Sequence, residues 1–263
     1  MSPQLFGLYT EELAERLRRT GKGINISGNC LNLLMYADDI VILSESKEDL
    51  QSLLDLVAGF GRDLKFSDEK NQVLVINGDD SDVGRTWKLG EMTLKRTKKY
   101  QYFGMLVDEK GCEDTKCDRL SRANQWVGRL GSAAKTRANK YEVVRGVWKG
   151  MAVPSLMYGL ETMRWTKNDW GKLEVTQNKV DRIALGANRY AATETLRGEV
   201  GLSSFAERIT KGVLRYKVRL QKMDGNRWAR LVYEWSRTGS KWNRMCEKMI
   251  DECQMRREVT FDN

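Results

Sequence analysis

Leu33-Leu34-Met35-Tyr36-Ala37-Asp38-Asp39-Ile40-Val41-Ile42-Leu43 is the stretch on which the reading of the chain turns. Two apolar, β-favouring runs, 31–36 and 40–43, are separated only by Ala37, Asp38 and Asp39, which predicts a hairpin with two adjacent carboxylates at its tip. Like charges side by side at the end of apolar strands repel and raise each other's pKa unless a cation neutralises them. Hard divalent ions such as Mg2+ favour oxygen donors of this kind. Asp is also common in plain hairpin loops, so on spacing alone a metal pair and simple turn residues both fit.

Outward from the hairpin, the elements before about residue 110 are mixed. Leu5, Tyr9, Leu13 and Leu17 recur every four residues and stop before Gly21, which predicts an amphipathic helix. Ser46 offers an N-cap with Asp49 three residues on. Leu50, Leu53, Leu54 and Val57 then form the stripe of a second helix ending near Gly59 to Gly61. Gln72 to Ile76, Trp87 to Leu89, Thr93 to Lys95 and Gln101 to Val107 read as strands of an antiparallel region turning at Gly111. From there on, helical periodicity predicts helices near 114–138, 141–152, 155–164, 167–187, 204–223, 226–237 and 240–256. Thr166 with Asp169 and Ser204 with Glu207 are capping-box signatures, and Pro154 should break or kink the segment it interrupts. The fold class expected is therefore α+β, divided at about 110 into a mixed part and an all-α part.

Charge divides at the same place. The 263 residues carry 45 Lys plus Arg and 36 Asp plus Glu, a net +9. Residues 1–110 hold 15 basic and 18 acidic residues, and residues 111–263 hold 30 and 18. The excess of +12 in the later part points to a polyanionic partner for that part. Arg215, Lys217, Arg219, Lys222, Arg227, Arg230, Lys241 and Arg244 alternate there with apolar or aromatic positions such as Tyr216 and Trp228. They suit salt-sensitive phosphate contacts, or equally the solvated face of an amphipathic helix.

Composition also excludes. There is no histidine, so histidine-based nucleophile activation, histidine general bases and His-containing zinc or haem sites are ruled out. The five cysteines, Cys30, Cys112, Cys117, Cys246 and Cys253, are scattered and lack C-x2-C spacing, which argues for reduced thiols. No apolar run is long enough to span a membrane and Met1 to Thr10 lacks a secretory pattern, so an intracellular location, nucleus or cytoplasm, is expected.

The Tyr-Ala-Asp-Asp box and its neighbours resemble the palm of reverse transcriptases, most closely those of non-LTR (LINE-type) retrotransposons. Ser2-Pro3-Gln4-Leu5-Phe6 resembles the tail of that family's motif B and Tyr36 to Asp39 its motif C. Leu64-Lys65-Phe66-Ser67-Asp68-Glu69-Lys70 is similar to motif D, and Tyr102-Phe103-Gly104 to motif E, the primer grip. Val153-Pro154-Ser155-Leu156-Met157-Tyr158-Gly159-Leu160-Glu161 is similar to a segment of the thumb region. The resemblance implies a partial polymerase palm over 1–110 and a helical, basic thumb-like region over 111–263.

It also implies roles. Asp38 and Asp39 would be the metal-binding acids for Mg2+ in two-metal nucleotidyl transfer, and Tyr36 would lie beneath the primer terminus. Lys70 would protonate the leaving pyrophosphate, although a solvated lysine fits its position too. Tyr102, Phe103 and Gly104 would position the primer strand, although an aromatic pair in a strand is also ordinary core packing. Arg215, Lys217 and Arg219 would join them on nucleic acid. The partners implied are an RNA template, a DNA primer or RNA/DNA duplex, and deoxynucleotides. The family's motif A aspartate and its fingers precede motif B and are missing from this chain, so the expectation is a polypeptide inactive or nearly so by itself. The alternatives are a non-catalytic nucleic-acid-binding protein derived from a retrotransposon, or a non-functional truncated reading frame.

Overall fold

The computed structural model describes residues 3–37, 39–60, 70–78, 86–109, 113–135 and 139–253. Two compact units emerge, one made of Met1–Tyr102 with Leu106–Gly111, the other of Phe103–Met105 with Cys112–Asn263. Helices dominate, with small sheets confined to the earlier part of the chain.

The mixed unit begins with α1 (Pro3–Arg19), whose fourfold stripe buries Leu13 and Leu17 completely. Two short hairpins follow, β1 (Ile24–Ile26) with β2 (Asn29–Leu31), then β3 (Leu33–Tyr36) with β4 (Asp39–Ile42). Next comes α2 (Lys47–Phe60), which starts where Ser46 Oγ accepts from the Asp49 N–H at 3.0 Å. Leu53, Leu54 and Val57 of α2 pack with Leu13, Leu17, Val73 and Trp87 into one core, against which Leu33 and Ile42 of the second hairpin rest.

A three-stranded sheet of β5 (Gln72–Leu74), β6 (Trp87–Leu89) and β7 (Met92–Thr97) covers the other side of that core. Here the structure corrects an expectation. β6 and β7 pair antiparallel, but β5 runs parallel to β7, with Gln72 opposite Lys95 and Leu74 opposite Thr97. Gln51 of α2 treats the backbone of Lys88 as a strand neighbour would, accepting from its N–H at 3.0 Å and donating to its carbonyl at 2.9 Å. That satisfies backbone groups on the free edge of β6.

The run 101–107, expected as one strand, is instead a hairpin. β8 (Lys99–Tyr102) pairs with β9 (Met105–Asp108), and the turn falls on Phe103 and Gly104. Both turn residues have positive φ, 47° and 69°. Two left-handed residues in succession match the right-handed twist of the flanking strands, and glycine makes the second of them cheap. Gly111, the expected turning point, lies outside the described residues.

The helical unit contains α3 (Glu113–Ala133), α4 (Lys140–Val147), α5 (Val153–Met157), α6 (Lys167–Leu185), α7 (Thr193–Val200), α8 (Phe205–Lys222), α9 (Trp228–Ser236) and α10 (Lys241–Glu252). Pro154 does not break the α4–α5 run. A π-helical turn, Trp148–Ala152, joins the two helices, and the Val153 N–H reaches back to the Trp148 carbonyl. Inserting one extra residue in the turn accommodates a proline that cannot donate and whose ring crowds the carbonyl before it. The expected helix 155–164 instead stops at Met157, and left-handed Gly159 (φ 76°) leads into a 3-10 turn, Leu160–Thr162. The capping box at Thr166 and Asp169 is complete, and α7 is an element that the periodicity did not predict. Trp148, Leu156, Leu160, Phe205, Ile209 and Val213, all essentially inaccessible, form the centre of this unit's core.

Candidate active-site hairpin

Asn32 sets the hairpin in place. Its buried side-chain amide donates to the Leu17 carbonyl at 2.7 Å, at the end of α1, and to the Lys22 carbonyl at 2.9 Å. The strands then run in strict register, Leu33 opposite Ile42 and Met35 opposite Ile40, until Tyr36 faces Asp39 across a two-residue loop. Ala37, the first loop residue, has φ 51°. For an L-residue with a Cβ that conformation costs about 1–2 kcal/mol. The loop is therefore held by the strand pairing rather than by its own preference.

Asp38 is the second loop residue and lies outside the described residues, as do residues 64–69 of the motif D-like segment. Asp39 opens β4 and is exposed, and Tyr36, directly opposite and 67% exposed, shares its face of the hairpin. The Tyr102 phenol is pushed above the usual tyrosine value, first by burial and next by the charge of the Asp39 carboxylate. The Asp39 carboxylate thus acts electrostatically on Tyr102, 63 positions away in sequence, within the mixed unit. Lys70 is exposed just before β5.

Phe103 and Gly104 belong to the helical unit. The Gly104 carbonyl accepts from the Arg119 guanidinium at 2.9 Å, which also reaches the Tyr158 carbonyl at 3.4 Å. Arg119 is 1% exposed, paired with Asp118 at 3.1 Å, and burial holds its pKa below the usual arginine value. Sequence reasoning missed it, although a signal existed. Thr115, Arg119 and Ala123 are the buried stripe of α3, and a guanidinium in such a stripe must find carbonyls or carboxylates.

The basic candidates separate on α8. Phe205, Ile209, Val213, Lys217 and Leu220 form its buried stripe, so Lys217 falls on the core side by helical periodicity alone. It is 6% exposed and ion-paired with Glu247. This corrects the expectation that it faces phosphates. Arg215 and Arg219 lie on the exposed side and, among the described residues, neither is ion-paired. Arg230 is spent within the fold, bonded to Glu234 at 2.7 Å and to the Leu220 carbonyl at 3.0 Å.

Asp39 offers a hard oxygen donor open to solvent, and a second carboxylate, Asp38, precedes it in sequence. Among the described residues no cluster of three or more cysteine and carboxylate side chains is poised to hold a metal. The four described cysteines, Cys30, Cys117, Cys246 and Cys253, are free thiols, and no described helix is long and apolar enough to cross a membrane.

Comparison with known families finds that residues 1–107 match the profile described as Reverse transcriptase (RNA-dependent DNA polymerase). The match covers the α1 segment, the Tyr36–Asp39 hairpin and the Phe103–Gly104 turn, and ends inside β9. No curated protein matches the chain.

Proposed function

We propose that the chain is the later part of a reverse transcriptase palm, residues 1–110, followed by a thumb-like helical region, residues 111–263, of the non-LTR retrotransposon type. The observation that carries this reading is the Asp39–Tyr102 coupling. It ties the hairpin resembling motif C to the one resembling the primer grip, inside the segment that matches the polymerase family. In this reading Asp38 and Asp39 hold Mg2+, with water and substrate phosphates filling the other coordination positions. The ion, when bound, supplies Lewis-acid stabilisation of the charge that develops as pyrophosphate leaves.

The protein's own groups then have distinct tasks. Tyr36, exposed opposite Asp39, offers a ring on which the terminal primer nucleotide rests. Tyr102 keeps its proton to higher pH than an ordinary tyrosine, so it can donate a hydrogen bond to a phosphate or sugar oxygen beside Asp39. Lys70 is the general acid for the leaving group, and Arg215 and Arg219 meet the phosphates of the template-primer. In this reading the 263-residue polypeptide by itself binds template-primer yet extends it poorly.

The test uses the full chain with a DNA primer annealed to an RNA template, Mg2+ and deoxynucleotides. Expected are salt-sensitive binding that survives Asp38→Asn with Asp39→Asn, and little extension. Efficient extension would overturn the inactivity, and absence of template-primer binding at low salt would overturn the polymerase reading itself.

A further inference from the structure

We propose that the pocket between the 164–170 segment and α10 binds single-stranded nucleic acid, seating one unpaired base against Trp170 and its flanking phosphates on Arg164, Lys241, Arg244 and Lys248. The inference rests on the reading that the helical unit meets nucleic acid, but it concerns a site distinct from Arg215 and Arg219, neither of which lines the pocket.

The cavity measures about 540 Å3. That is within the range of sites that take a nucleotide-sized ligand. The helical period of α10 determines its lining. Asn243, Cys246, Met249 and Ile250 are buried, which turns Lys241, Arg244 and Lys248 outward along one stripe. Arg164 faces them from the strand-like approach to α6. All four cations are exposed and, among the described residues, none is ion-paired.

Other cations of the same unit are neutralised within the fold. Lys116, Arg197, Lys217 and Arg230 all have carboxylate partners. Among the described residues the pocket's one acid is Glu252, which lies 3.4 Å from Lys167 and leaves the other four cations without an ion pair. Like charges gathered on one concave surface repel one another, and a polyanion relieves that repulsion while releasing counterions.

The aromatic groups argue for a base rather than for phosphate alone. Trp165 is the floor, 4% exposed, its indole N–H given to the Leu160 carbonyl at 2.9 Å and Lys116 lying over its ring at 5.8 Å. Trp170 is only half-buried and lines the pocket beside Met245. A ring flanked by unpaired cations is the pairing of a stacking platform with an electrostatic funnel that single strands use. A duplex keeps its bases stacked inside and cannot place one in a concavity, so the occupant is unpaired.

The full 263-residue chain titrated into fluorescent single-stranded RNA and DNA 8-mers, followed by anisotropy from 50 mM to 300 mM salt, tests the proposal. Four phosphate contacts at about 0.7 each give a log–log salt slope near −3. Arg244→Gln and Lys248→Gln should each make that slope shallower by about 0.7. Trp170→Leu should weaken binding about 5- to 100-fold, the range of one base stack, and leave the slope unchanged. Trp170→Phe preserves an aromatic face and should restore most of the affinity, which separates stacking from a packing defect. Better binding of RNA than DNA, or the reverse, would identify the source of the strand, and either supports the site.

The proposal is overturned if an abasic strand of equal charge binds as tightly as the normal one. It is equally overturned if the folded Trp170→Leu protein binds as the parent does, or if polyglutamate competes on equal terms with the oligonucleotide. A parallel titration with template-primer duplex and Arg215→Gln plus Arg219→Gln reports on the polymerase reading separately. Loss of duplex binding alone would leave the pocket standing, and loss of single-strand binding alone would leave the polymerase reading standing.

Discussion

Asp181→Asn should flatten the dependence of stability on pH between about 4 and 7. Asp181 sits on the inner face of α6, completely buried, and neither carboxylate oxygen has a hydrogen-bond partner. The surrounding cations are committed elsewhere. Arg197 is bonded to Glu174 and Asn178, Arg208 to Gln177, and Arg182 to the carbonyls of Asn178 and Ala191. Burial therefore outweighs their attraction and pushes the carboxyl from 3.8 up to about 6.

A folded group that holds its proton to higher pH than the unfolded one stabilises the fold in its protonated form. That contribution is fully present below pH 3.8 and is lost as pH rises through about 6. The difference of about two pKa units corresponds to about 3 kcal/mol at pH 7, at roughly 1.4 kcal/mol per unit. An asparagine amide at the same place is also short of partners and costs about 1–3 kcal/mol at every pH. The pH dependence, not the absolute offset, is thus the informative quantity. Urea titrations of both proteins from pH 4 to 8, read by tryptophan emission, should show the variant gaining about 3 kcal/mol relative to the parent across that range. In thermal unfolding this amounts to about 6–12 °C for a unit of roughly 150 residues. Parallel curves at all pH values would refute the reasoning, because they would mean that the carboxylate is solvated or hydrogen-bonded in solution.

Asp39→Asn removes one of the charges that raise the Tyr102 phenol, so the difference titration of tyrosinate absorbance between variant and parent should show one phenol ionising at lower pH; an unchanged titration would mean that the two hairpins do not meet as described. Gly159→Ala forces a Cβ into the left-handed region at φ 76° and to 2.7 Å from Met105 Sδ. It should cost at least about 1–2 kcal/mol in denaturant midpoint, and an unchanged midpoint counts against the turn. Arg119→Leu strips the Gly104 and Tyr158 carbonyls of their donor and should cost about 1–3 kcal/mol. Arg119→Lys should not restore it, because one ammonium nitrogen cannot hold both carbonyls and Asp118 at once, as Nη2 and Nη1 of the guanidinium do.

Much of the local structure was legible because it follows from periodicity and end signals. The fourfold stripe of α1, the cap at Ser46, the capping box at Thr166 and the β3–β4 strands around the acids all appear where short-range rules put them. The parallel pairing of β5 with β7 was not legible, since strand direction depends on how the chain returns and not on strand composition. Neither was α7, only eight residues long and too short for its apolar spacing to stand out. At 101–107 the apolar run masked a turn whose signal was the Phe103-Gly104 pair.

The amino-acid order by itself determined where helices and strands form, that two acids stand together between apolar strands, and that the positive charge gathers after residue 110. Those properties depend on neighbours a few positions apart. Tertiary structure alone decided what each charge does, because desolvation and pairing depend on groups far away in sequence. Lys217 is consumed by Glu247 and Asp181 is stranded without a partner, while Arg164 and Lys248, 84 positions apart, share one pocket in which, among the described residues, neither is ion-paired. Sequence can count such charges, but only the packed chain separates those that hold the fold together from those left open to a ligand.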